Sequence, residues 1–85
     1  MLDDVGLEIS FAFADQPRIQ RTWTWKELMA GEFPDWLTHD PPRWLKEAEI
    51  ALTKDPVTVR CSALVPAGLE AQAKALLNDR GYQAP

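Results

Sequence analysis

Leu7-Glu8-Ile9-Ser10-Phe11-Ala12-Phe13 alternates without a break. Leu7, Ile9, Phe11 and Phe13 fall on one side; Glu8, Ser10 and Ala12 fall on the other. A period of two marks a half-buried strand. Asp15-Gln16-Pro17 follows with turn chemistry. The alternation then resumes from Ile19 to Trp25, with Ile19, Arg21, Trp23 and Trp25 opposite Gln20, Thr22 and Thr24. Two alternating runs around a short polar turn predict an antiparallel hairpin.

At the end of the hairpin a second signal begins. Thr24 and Glu27 have the spacing of a capping box, which predicts a short helix over 25–30 that stops at Gly31. Strand and helix therefore compete for Trp25. Further on, Asp40 reads as a cap and Pro41 as a first helical residue. Trp44, Leu45, Ala48, Ala51 and Leu52 form an apolar stripe, so the expected helix runs to about Lys54, where Pro56 stops it. A third alternating run spans 57–65, with Val57, Val59, Cys61, Ala63 and Val65 facing inward. The last helix is expected over 67–79, with Leu69, Ala73, Leu76 and Leu77 on one face. Gly81 is placed as its left-handed cap, with Tyr82 folding back on the last turn.

Helices covering the apolar face of three such strands make a two-layer α+β sandwich. The expected order is β-β-α-β-α, with a three-stranded, mainly antiparallel sheet and two main helices on one face. Eighty-five residues suit a single domain, 1–85. A chain of this size buries only a little more than about 60% of its unfolded surface, so one core must carry its stability.

The composition narrows the function classes. The net charge is −4, with 13 acidic and 9 basic side chains, which lacks the basic surplus of a nucleic-acid binder. The single cysteine, Cys61, points to a reducing, cytoplasmic setting; on the inward face it reads as a small core residue. The acidic start Met1-Leu2-Asp3-Asp4 lacks the basic character of a signal peptide. No run of apolar residues is long enough for a membrane span. Motifs for nucleotide, metal or thiol–disulfide chemistry are missing, so no cofactor and no metal is expected.

Four tryptophans, at 23, 25, 36 and 44, are the unusual feature. Large amphipathic rings anchor small cores and also interfaces. Glu32-Phe33-Pro34-Asp35-Trp36-Leu37-Thr38-His39-Asp40-Pro41-Pro42 joins such rings to prolines and carboxylates. Either Phe33 and Trp36 anchor a partner there, or Phe33, Trp36 and Leu37 fold under and close one end of the core. Arg21, placed among apolar neighbours, either stacks on an indole for an anionic partner or snorkels at the hairpin edge. The candidate binding residues are thus Arg21, Phe33, Asp35, Trp36, His39 and Asp40.

The leading expectation is a small non-catalytic protein–protein interaction module: a regulator, inhibitor, immunity or antitoxin-like factor, or accessory subunit. Its size and charge are those of small inhibitors of phages and mobile elements. A nucleic-acid accessory protein using Arg18, Arg21, Arg43, Lys46 and Arg60 is the second reading. A small enzyme with His39, Asp35 and Asp40 at an oligomer interface is the third. Under any of them an unpaired edge strand invites a homodimer.

Overall fold

The computed structural model describes residues 1–14 and 16–85; Asp15, within the expected turn, lies outside them. In chain order the elements are β1 (Val5–Ala12), β2 (Ile19–Thr24), α1 (Trp25–Met29), α2 (Trp36–His39), α3 (Arg43–Lys46), β3 (Glu49–Lys54), β4 (Val59–Leu64) and α4 (Glu70–Asp79). The class is α+β as expected. The sheet, however, is mixed and four-stranded, in the order β2-β1-β4-β3. Four short helices replace the two main ones.

The expected antiparallel hairpin forms, with Ile9 opposite Arg21 and Phe11 opposite Ile19. Its register shifts between Val5 and Leu7, around Gly6. A Cβ at Gly6 would lie 2.7 Å from the Trp25 ring, so only glycine lets the indole lie across the strand. The capping box settles Trp25 as helical. Thr24 Oγ1 accepts from the Glu27 backbone N–H at 3.1 Å, and Glu27 accepts from the Thr24 N–H at 2.8 Å. The Thr24 backbone bond, then its side chain, holds the Glu27 carboxyl below its usual range.

The expected helix over 41–54 is replaced by one turn and a strand. α3 keeps only Arg43–Lys46, and Glu49–Lys54 pairs antiparallel with β4 from Glu49↔Leu64 to Lys54↔Val59. Ala, Leu, Glu and Lys favour a helix locally, but a continuous ladder with β4 outweighs that weak preference. Pro56 acts in the turn between the strands, which Asp55 closes by donating its N–H to the Thr58 carbonyl at 2.9 Å. Asp40 does not start α3: it is the C-cap of α2, donating its backbone N–H to the Trp36 carbonyl at 3.4 Å, and the N-cap of α3 is Pro42, with no side-chain bond. β4 starts at Val59, and Thr58 spends its hydroxyl on the Val5 carbonyl at 2.6 Å.

β4 lies parallel to β1, Ile9 beside Cys61 and Phe11 beside Ala63. The chain from α1 to α3 crosses over one face, reaches the far edge as β3, and turns back to fill the place beside β1. A returning strand placed there runs in the same direction as β1.

The apolar face carries the core. Ile9, Phe11, Phe13, Ile19, Trp23, Ala63 and Val65 meet Trp44 and Leu45 of α3 and Ala73 and Leu77 of α4. Tyr82 sits at the centre, 1% exposed. Gly81 (φ 88°) turns the chain after α4, and Tyr82 donates its N–H to the Leu77 carbonyl at 2.9 Å. That is the expected left-handed cap. The Tyr82 ring makes edge contacts with Phe11 (5.5 Å), Trp23 (6.1 Å) and Trp36 (6.4 Å). Its hydroxyl finds no hydrogen-bond partner among the described residues.

Tyr82→Ala is expected to cost about 3–5 kcal/mol, as other buried aromatic truncations do. Tyr82→Phe is expected to stay within about 1 kcal/mol, because no hydrogen bond is lost. Burial pushes the Tyr82 phenol from 10.0 up to about 12. Its contribution is therefore complete below pH 10 and is lost as pH rises through about 12, amounting to about 2–3 kcal/mol. Tyr82 is the sole tyrosine, so tyrosinate absorbance and alkaline unfolding can be followed on one group. Gly6→Ala is expected to lower stability by about 1–3 kcal/mol through overpacking against Trp25, read by denaturant unfolding.

Candidate functional site

The loop after α1 is drawn tight by short backbone bonds. Phe33 donates to the Gly31 carbonyl at 2.9 Å and Asp35 to the Phe33 carbonyl at 2.8 Å. These successive tight turns bury Pro34 and leave the Phe33 ring 48% exposed. α2 starts directly after, and Asp35 leaves its carboxylate free of capping. Trp36 and Leu37 are half-buried against the core. Trp36 and Leu37 therefore help close the core, and Phe33 stays at the surface.

Beside this loop stand two arginines. Arg21, from β2, lies over the Trp23 ring at 5.0 Å. Arg80, from the end of α4, lies over the Trp36 ring at 5.2 Å. Arg21 Nη1 donates to the Arg80 carbonyl at 3.0 Å, which locks the pair together. A guanidinium held over an indole loses little freedom when it meets a ligand. Among the described residues, no carboxylate lies within ion-pair distance of either.

These groups line an open depression of about 310 Å³ formed by Arg21, Trp23, Glu32, Phe33, Pro34, Asp35, Trp36 and Arg80. Four of the six expected binding residues, Arg21, Phe33, Asp35 and Trp36, thus come together. His39 and Asp40 stay outside, exposed at the other end of α2. Arg80 escaped sequence reading. Its signal was the Gly81 cap, since the turn that returns Tyr82 to the core also fixes the residue before the glycine.

Other candidate groups are dispersed. Arg60 lies on the uncovered sheet face, paired with Glu8 at 3.1 Å and Asp55 at 2.8 Å. Arg21 lies on the covered face, and Arg43 pairs with Glu47 at 3.4 Å. Among the described residues, no three His, Cys, Asp or Glu side chains gather to hold a metal. No helix among the described residues is long and apolar enough to cross a membrane. The Cys61 thiol is half-buried, and burial pushes its pKa up, away from the reactive thiolate.

Trp36→Ala removes both a core contact and the platform under Arg80, and is expected to cost about 2 kcal/mol of stability. Phe33→Ala touches only surface and is expected to leave the melting temperature within about 2 °C. Thermal unfolding of the two variants separates the closing role from the exposed one.

Compared with models of known protein families, with curated proteins and with solved structures, the chain shows no significant match.

Proposed function

We propose that this chain is a small non-catalytic protein–protein interaction module, of the regulator or inhibitor kind, which holds its partner at the depression of Arg21, Phe33, Asp35, Trp36 and Arg80. The observation that carries the reading is the pair of arginines laid on Trp23 and Trp36 beside an exposed phenylalanine. Tryptophan and arginine dominate the energetics of protein interfaces, and they do so where apolar contact excludes water around a charged contact. Here Phe33 supplies the apolar anchor, and the two guanidiniums supply donors to a carboxylate. Asp35 and Glu32 at the rim select against a purely acidic partner surface and favour one of mixed charge.

The positions required by the nucleic-acid reading do not share a face, and two of them are occupied by carboxylates. An electrostatic footprint needs clustered, available cations. The enzyme reading rests on Asp35, His39 and Asp40, and of these only Asp35 lines the depression.

The test is affinity capture with the tagged chain, followed by calorimetric titration of the captured partner. Phe33→Ala and Arg80→Ala are each expected to weaken binding at least about tenfold with the fold retained. Unchanged affinity for both variants would remove this surface from the function.

A further inference from the structure

The two edges of the sheet are treated differently. At the β2 edge, residues near the C-terminus pair with the strand: Gln20 and Gln83 exchange backbone bonds of 2.8 and 3.0 Å. At the other edge β3 is bare. All six of its residues are exposed, and its register with β4 is unbroken, with neither bulge nor proline. Natural sheets usually blunt such an edge. The bond from Asp55 to Thr58 fixes the alternation along the hairpin. The N–H and C=O groups of Glu49, Ala51 and Thr53 turn toward β4, and those of Ile50, Leu52 and Lys54 turn outward.

The side chains are equally open. Ile50 and Leu52 lie on the helix-covered face, opposite Ala63 and Cys61, yet are 58% and 71% exposed. The helical layer stops short of them. It leaves a mostly apolar groove of about 320 Å³ between Leu37, Leu45, Ile50 and Cys61.

We infer that β3 pairs antiparallel with β3 of a second copy, making one continuous eight-stranded sheet. The sequence of the strand selects the partner. Two identical strands related by a two-fold axis normal to the sheet keep their faces, so residues opposite each other must have the same parity. With Ala51 on the axis, Ile50 stands opposite Leu52 of the other copy, twice. The outward backbone groups of both residues then pair in full. Glu49 stands opposite Thr53. The neighbouring registers are worse. Centring on Leu52 sets Ile50 opposite Lys54 and Glu49 opposite Asp55; centring on Ile50 sets Leu52 opposite Ala48. The favoured register therefore buries both exposed apolar residues against each other and extends the apolar groove across the axis. A six-residue ladder is small beside the roughly 1,200–2,000 Å² of a standard interface, so a weak, concentration-dependent dimer is expected.

The test is sedimentation equilibrium of the full chain from about 1 to about 300 µM, a range that brackets a small interface. A monomer–dimer equilibrium is expected. Leu52→Lys is expected to weaken it at least about tenfold without changing the melting temperature, since Leu52 is a surface residue. In a Cys61→Ala background, Ala51→Cys is expected to form an intermolecular disulfide in glutathione buffer, because the two Cβ atoms face each other across the axis about 4.5–5.5 Å apart. Thr53→Cys is expected not to link to itself, but to link to Glu49→Cys when the two are mixed. A monomer throughout the range, or a dimer that Leu52→Lys leaves intact, would overturn the pairing. Equal self-linking of Ala51→Cys and Thr53→Cys would overturn the register.

Discussion

The structure turns on the placement of one ring. α4 ends in a left-handed glycine, and the next side chain, Tyr82, enters the core between Phe11 of β1, Trp23 of β2 and Trp36 of α2. Each contact belongs to a different element. In so small a chain the helices are too short to hold themselves; apart from α4 they run four or five residues. Short helices are marginal in water and depend on packing. Tyr82 supplies that packing for α2, and Trp44 against Phe11 at 5.6 Å supplies it for α3. The same turn orients Arg80 over Trp36. Core and surface site are thus two sides of one helix ending.

What could be read from the sequence was what neighbouring residues decide. The hairpin, the Thr24–Glu27 capping box, α4 and its glycine cap all depend on contacts within a few positions, and all formed. The stretch Ala48–Lys54 was misread because it supports two periods. Its apolar residues make a helical stripe with Trp44 and Leu45, and Ile50 and Leu52 also fit one face of a strand. The choice is made by β4, which offers six backbone partners that local propensity does not see. The parallel pairing of β1 with β4 had no local signature at all. The site was partly legible for the same reason. Phe33, Asp35 and Trp36 are adjacent, and Arg21 stood out by violating its face. Arg80 enters through the fold.

Strand order also sets where the open surfaces lie. Arg21 belongs to β2 and the apolar groove borders β3, so the two occupy opposite ends of the sheet. Pairing through β3 would leave both arginine–tryptophan depressions free, at the two far ends of one sheet. A repeated or oligomeric partner would meet two equivalent sites on one rigid sheet, and linked binding gains affinity without any new contact.

The position of β4 governs how the chain can fold. β1 is an interior strand, but one of its flanks is filled by residues that come about fifty positions later, as Glu8 and Arg60 show at a separation of 52. Closing so long a loop costs entropy before the pairing repays it. The pairing of β1 with β4 must therefore wait until the chain has been made as far as Leu64. Ser10, midway along β1, stands beside Ser62 of β4 and is only 5% exposed in the finished sheet. The sheet becomes continuous only when the chain returns.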